Sequence, residues 1–488
     1  MKKKDDSLQH KTTHGIFWNF LELTGRRGIG VLVTILLARF LLPSDYGLIA
    51  MVSVFFAIAN NLMNAGFQQA LIRKKDASME DYSTMFYTNI ALGFLAYILL
   101  FISAPMIAVF YGQMRLVLIL RIVGLVVIVN SFQIIQIVDL TRHIDFKTQF
   151  KVTVPSGVIS GAVAVFMAMN GMGVWSLVAQ MTLSPVIITL SLWKLNGWRP
   201  SKVFSVESFR ELFGFGSKLF LSGMLDILFR NLYVMVIARF FSASVTGYYF
   251  FATKVRDILL EQFAGSIQKV TYPVLASIQD DPVRLKSGYR KVIKAIVYLI
   301  FPCMMFLAVL AEPLFTVLLN PKWLPAVPYL QLLCMAGLIY PLHVVNLNIL
   351  QVKGRSDLFL YLEIIKKIMI TVVVFFSLQY GVVALLLGQI VTSVLAYVPN
   401  SYFSARLIGY PMREQLRDVL PVLCLAGLSS GGMLTVRWLL FEGNMEVLSL
   451  IVQCSVGVIL YLFMAWCFKV EIQAMLFSML RFKISKKD

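Results

Sequence analysis

Four otherwise apolar stretches carry charged side chains at helical spacing. Residues 16–40 hold Glu22, Arg26 and Arg27, and residues 215–240 hold Lys218, Asp226 and Arg230. Residues 246–268 hold Lys254, Arg256, Asp257 and Glu261, and residues 358–378 hold Glu363, Lys366 and Lys367. Arg121 stands alone in 116–138. A charge at mid-membrane costs on the order of 3 kcal/mol unless it is paired or wet, so each is a functional candidate. Four pairs have local spacing: Glu22 with Arg26, Asp226 with Arg230, Lys254 with Asp257, and Glu363 with Lys367. Such pairs can also simply neutralise each other on a buried face. Arg27, Lys218, Arg121 and Arg256 have no evident local partner, so cations are in excess. Arg26, Arg27, Lys218, Arg230 and Arg256 form a candidate set for holding an anionic head group such as a pyrophosphate. Glu22, Asp226, Asp257 and Glu261 are candidates for binding a coupling proton or Na+.

A second polar set is uncharged. Asn60, Asn61, Asn64, Gln68 and Gln69 fall in and just after residues 46–66, with Asn60, Asn64 and Gln68 on one helical face. In a membrane such a stripe is either glue between helices or a wall that contacts sugars, and Asn60 and Asn64 join the candidates on that footing. His343, Asn346 and Asn348 make a weaker set. The four histidines show no metal-ligand spacing, and no Gly-rich phosphate loop occurs. The five cysteines all lie in apolar runs, which argues against a disulfide framework. Neither a metal nor a cofactor is expected.

These groups must be positioned by membrane helices. Of 488 residues, 59% are hydrophobic and only 14% charged, so the fold class is an all-α polytopic membrane protein. Fourteen spans are expected: 16–40, 46–66, 84–104, 116–138, 151–170, 173–193, 215–240, 246–268, 292–311, 327–350, 358–378, 381–404, 418–439 and 447–468. Met1-Lys2-Lys3-Lys4 precedes no short apolar core or cleavage pattern, so the first run reads as a retained span. With the N-terminus inside, the inner segments carry 29 Lys and Arg residues and the outer ones two, Arg115 and Lys322. That asymmetry is the positive-inside rule, and it places both termini in the cytoplasm. The net charge of +19 therefore reflects topology and anionic lipid rather than nucleic acid. Outer loops such as 171–172, 241–245 and 379–380 are tiny, while the long connections 67–83, 194–214 and 269–291 lie inside. Ser208 and Glu211 form a capping-box pattern, predicting a short interfacial helix within 201–214.

The chain also repeats itself. Ala38-Arg39-Phe40 and Ala238-Arg239-Phe240 each open the pattern Ala-Arg-Phe-x-x-x-Ser-x-x-Gly, closing on Gly47 and Gly247. Ala104-Pro105 matches Glu312-Pro313, and Gly173-Val174 matches Gly381-Val382. The offsets of 200, 208 and 208 support a repeat of six spans, inserted the same way round. The expected organisation is a lobe over 1–200, a second over 201–410, and two further helices with a tail over 411–488. Arg39 and Arg239 fall at outer helix ends, where snorkelling or capping suffices to explain them. Asp45 is a candidate partner for Arg39 and has no counterpart at Val245.

Leu37-Ala-Arg-Phe-Leu-Leu-Pro43-Ser-Asp45-Tyr46-Gly47 resembles the hallmark of the polysaccharide transporter family, within the multidrug/oligosaccharidyl-lipid/polysaccharide exporter superfamily. Tyr272-Pro273-Val-Leu-Ala-Ser-Ile-Gln279-Asp280-Asp281 and Pro321-Lys-Trp323-x-x-Ala-Val-Pro328-Tyr-Leu-Gln331 are similar to its colanic-acid and teichuronic-acid export branch. The resemblance implies two lobes around a central cavity opening alternately to each side. It implies a non-enzymatic flippase for an undecaprenyl-pyrophosphate-linked oligosaccharide in the bacterial cytoplasmic membrane, serving surface polysaccharide synthesis, with no cofactor. Implied partners are that lipid-linked oligosaccharide, membrane lipids, polymerase and chain-length proteins of the same pathway, and Na+ or H+. One rival is a multidrug or small-solute antiporter of the superfamily, against which the excess of membrane cations argues. Another is a membrane glycosyltransferase or polymerase, against which the tiny, nearly uncharged outer loops argue.

Overall fold

The computed structural model describes residues 2–74, 76–440 and 446–474, leaving aside the side chains of 2–14, 16, 261–270, 272, 273 and 356. Lys75, the Glu261 side chain and the tail cations Arg481, Lys483, Lys486 and Lys487 lie outside the described residues.

Every long element among the described residues is an α-helix: α1 (Lys2–Phe40), α2 (Pro43–Asn64), α3 (Phe67–Arg73), α4 (Met79–Tyr111), α5 (Arg115–Arg142), α6 (Phe146–Met169), α7 (Val174–Leu195), α8 (Val206–Arg230), α9 (Leu232–Phe240), α10 (Ala243–Ser277), α11 (Pro282–Leu318), α12 (Val327–Val352), α13 (Ser356–Ser377), α14 (Val382–Ile408), α15 (Met412–Leu440) and α16 (Glu446–Cys467). A helix satisfies its own backbone, which lipid demands. Eleven helices among the described residues are long and apolar enough to cross a membrane. Three further long helices that coincide with expected spans, α1, α10 and α13, carry charges noted above.

Two local expectations fail. Ser205, not Ser208, caps α8: its hydroxyl accepts the Ser208 N–H at 3.2 Å, and the helix continues unbroken to Arg230. No separate interfacial helix forms, because the apolar surface after Leu212 keeps the same helix going. The seventh span breaks instead at Asn231, whose side-chain amide donates to the Ile227 carbonyl at 2.8 Å, and α9 follows.

The chain divides into two compact units, Met1–Phe250 and Phe251–Asp488. In the first, α4 packs on α5, α1 on α6, and α6 on α7. Its core joins Phe67, Leu71, Met85, Phe86, Ile135 and Val138 to Trp198 and Leu212. In the second, α11 packs on α12 and α15, and α12 on α14. Trp323 is fully buried there, its ring 4.4 Å from that of Phe251. That burial explains the Pro-Lys-Trp motif as a packing element.

Candidate functional site

In the first unit, α1 lies along α6. Glu22 faces that seam and is 6% exposed. Its carboxylate accepts from the Thr153 hydroxyl at 3.2 Å and pairs with Arg26 Nε at 3.4 Å. Arg26 itself is largely exposed, as is Arg27 beside it. On α8, Lys218 is exposed, and Arg230 pairs with Asp226 at 2.7 Å with both side chains in the open. Two of the four expected local pairs thus form.

A third changes partner. Asp257 takes its chain neighbour Arg256, whose Nε and Nη2 both donate to Oδ1 at 2.8 and 2.7 Å. The Arg256 stem passes Gly337 of α12, where an added Cβ would stand 3.6 Å from its Cδ, an ordinary contact. Lys254 is exposed. Glu363 pairs with Lys366 on the same helix. Arg121 also has a partner that spacing rules miss: its guanidinium sits 4.0 Å from the centre of the Phe101 ring.

Three asparagines of the polar stripe bond within the protein. Asn60 accepts from Asn130 of α5 at 2.8 Å, Asn130 accepts from Gln133 at 2.6 Å, and Gln133 accepts from Thr189 of α7 at 3.3 Å. Asn61 donates to the Phe220 carbonyl of α8 at 3.2 Å. Asn64 accepts the Gln68 N–H at 3.3 Å across the break between α2 and α3. That break turns on Gly66 at φ 74°, where a side chain would strike the Gly216 backbone at 2.5 Å.

Two ionic clusters escaped the sequence reading. Lys74 bridges Asp81 at 3.0 Å and Glu211 at 2.8 Å, tying the start of α4 to α8. Hydrogen bonding to Glu211 raises the Lys74 pKa against the opposing effect of burial. Arg73 lies over the Phe215 ring at 4.6 Å, so neighbouring cations both grip α8. In the second unit, Asp418 of α15 accepts from Arg290 Nη2 at 2.6 Å and from the Tyr410 hydroxyl at 2.6 Å. Lys294 pairs with Glu471 at 3.0 Å, and its hydrogen bond holds the Glu471 pKa below the usual carboxylate range.

Between these charges runs a buried polar network. Tyr289 donates to Asn346 at 2.6 Å, and Asn346 donates to Gln415 at 3.3 Å. Gln415 also accepts from Tyr397 at 2.7 Å and donates to Ser404 at 3.1 Å and the Tyr410 carbonyl at 3.0 Å. It docks α15 onto α11, α12 and α14. Ser78-x-x-Asp81 was the one local signal available for either cluster, and it does cap α4.

The sequence pattern of the polysaccharide biosynthesis protein family matches residues 36–328. The chain belongs to that family. It is 29% identical over 308 residues to the teichuronic acid biosynthesis protein TuaB of Bacillus subtilis (strain 168), covering 62% of this chain and 63% of that protein. It is 25% identical over 404 residues to the lipopolysaccharide biosynthesis protein WzxC of Escherichia coli (strain K12), covering 80% and 81%. Its fold resembles that of the lipid II flippase MurJ in an inward closed conformation, with a TM-score of 0.73, 15% identity, and coverage of 93% and 99%. The fold of this polysaccharide biosynthesis family member is therefore the helical fold of a known flippase.

Proposed function

We propose that this protein flips an undecaprenyl-pyrophosphate-linked oligosaccharide across the bacterial cytoplasmic membrane for surface polysaccharide assembly. The observation that carries this is the open exposure of Arg26, Arg27, Lys218 and Arg230 on helices of membrane-spanning length. A charge at mid-membrane costs about 3 kcal/mol unless it is paired or wet; Arg26 and Arg230 have carboxylate partners, and the exposed Lys218 above all calls for water beside it. A wet cationic cavity in an apolar helical protein suits a diphosphate carried on a lipid.

In this reading Arg26, Arg27, Lys218, Arg230 and Arg256 hold the pyrophosphate while the polyprenyl chain stays in lipid. Asn60 and Asn64 stiffen the wall behind them. The six-helix lobes, 1–200 and 201–410, rock to exchange access, and 411–488 lies outside that repeat. Glu22, Asp226, Asp257 and Glu261 are the carboxylates open to ion coupling. Both termini face the cytoplasm, and no bond is made or broken in the sugar.

The test replaces Arg27 and Lys218 by Ala, separately. Export of the polysaccharide should fall in each at normal protein level. Normal export in both would overturn the cationic cavity. Purified protein in vesicles should move labelled lipid-linked sugar without forming a new glycosidic bond.

A further inference from the structure

The connection from α7 into α8 has two sides of opposite character. One side is fastened to the start of α4. The Ser201 N–H donates to the Ser83 hydroxyl at 2.9 Å, and the Ser201 carbonyl accepts from the Tyr87 hydroxyl at 3.1 Å. The Ser205 N–H donates to the Thr84 hydroxyl at 2.9 Å. Where α8 begins, Ser208, Leu212 and Gly216 follow at four-residue spacing, all buried, and Leu212 joins the core with Phe67 and Trp198.

The other side faces away from the protein. Val203, Phe204, Val206 and Phe213 are each between 44% and 57% exposed. Val206, Arg210 and Phe213 lie on a face of α8 turned away from Leu212. The hydrogen bonds to α4 hold the loop with its apolar side chains outward. A contiguous apolar patch fixed in this way marks a surface that something covers.

Depth and charge say what covers it. Thr84 and Tyr87 lie about 8–12 Å along α4 from its first residue, Met79. The apolar run of α4 starts there, so the loop is level with the boundary between lipid head groups and acyl chains. Lys202 and Arg210 stand among the apolar side chains, exposed and without a protein partner among the described residues. Lys194 and Arg199 lead into the loop and are exposed too. Against these four cations residues 194–213 set two carboxylates, Glu207 and Glu211, and Glu211 is held by Lys74 at 2.8 Å. The charge asymmetry of the sequence puts this connection in the cytoplasm, where the leaflet is anionic.

We propose that residues 202–213 form a docking surface for anionic phospholipid of the cytoplasmic leaflet. Val203, Phe204, Val206 and Phe213 enter the acyl boundary, while Lys202 and Arg210 hold the head-group phosphate. Interfacial amphipathic segments bind by this division between an apolar and a basic face. The surface fixes the level at which α8 enters the membrane, and it does so whatever the protein carries.

In a background with the five native cysteines replaced by Ser, Phe204→Cys carries a bimane probe in lipid vesicles. Nitroxide-labelled phosphatidylglycerol should quench it more than nitroxide-labelled phosphatidylcholine at equal mole fraction. Each cation beside an anionic leaflet is worth about fivefold in local lipid. Lys202→Gln combined with Arg210→Gln should bring the two lipids level. Phe166→Cys on α6 is the control, exposed but apolar in its surroundings, and both lipids should quench it alike. Equal quenching at Phe204→Cys with both cations present overturns the anionic preference. A probe that emits as in water and is quenched by neither lipid overturns the membrane contact and leaves this face to a soluble protein. Native mass spectrometry of the unlabelled protein gives a second measurement. Wild type should retain phosphatidylglycerol, and the double Gln variant should lose at least about fivefold of it. Retention unchanged in that variant overturns the assignment of Lys202 and Arg210.

Discussion

Gly47 and Gly247 lie back to back. A Cβ on Gly47 would sit 1.8 Å from the Ala243 carbonyl oxygen, and a Cβ on Gly247 would sit 1.8 Å from the Pro43 carbonyl oxygen. Each glycine closes one copy of the Ala-Arg-Phe repeat, and each packs on the first turn of the other copy's helix. The contact is reciprocal, as a local two-fold axis requires. Only hydrogen at both positions allows α2 and the start of α10 to approach so closely.

Gly47→Ala and Gly247→Ala should each lower stability by about 1–3 kcal/mol, because the obstacle is backbone and no side chain can swing aside. Thermal unfolding in detergent would show it as a lowered midpoint. Gly28→Ala is the control, since nothing lies within 4 Å of its added carbon. Equal midpoints for all three would mean that the helices can part without cost.

The repeat was legible as pattern, but its physical reason was not. Spacing showed that two segments match; only the fold shows that they touch. The same limit explains the rest. Glu22–Arg26 and Asp226–Arg230 were readable because both partners share one helix face. Arg256–Asp257 was missed because neighbours in the chain do not share a helix face, so spacing rules pass over them. The Gln415 network draws on α11, α12, α14 and α15, so no window of sequence contains it. The order of helices needed only apolar runs and charge asymmetry, which are local and additive.

Lys74→Met should destabilise the first unit by about 1–3 kcal/mol, because Asp81 is 2% exposed and would lose its cation. The Lys74 pKa is raised in the folded state. Its contribution is therefore complete below the unfolded lysine value of about 10.4 and fades as pH climbs through the higher folded value. The midpoint gap between wild type and Lys74→Met should stay level near neutrality and narrow in strong alkali. A gap that is flat across the whole alkaline range would assign the effect to packing.

Gln415→Leu should cost more than Tyr397→Phe. The first leaves Asn346, Tyr397, Ser404 and the Tyr410 carbonyl each short of a partner, while the second removes one donor from an oxygen that keeps Asn346. At about 1–3 kcal/mol for a buried group left unmatched, the glutamine variant should lose the docking of α15 first. Limited proteolysis near residues 409–412 reads that release. Equal resistance in both variants would place the anchoring elsewhere on α15.

Lys218→Cys and Asp226→Cys test whether the charged side of α8 meets water. In a background with the five native cysteines replaced by Ser, each should react with a membrane-impermeant thiol reagent, since their native side chains stand exposed. Phe166→Cys on α6 is equally open at 68% exposure but carries an apolar native residue suited to lipid, and it should stay unlabelled. Exposure alone cannot separate these sites, whereas solvent can. Labelling of Phe166→Cys at the rate of the α8 sites would make the whole surface wet. Silence at both α8 sites would return Lys218 and Asp226 to lipid, where Asp226 keeps its pair with Arg230 but the Lys218 charge would carry its cost of about 3 kcal/mol uncompensated.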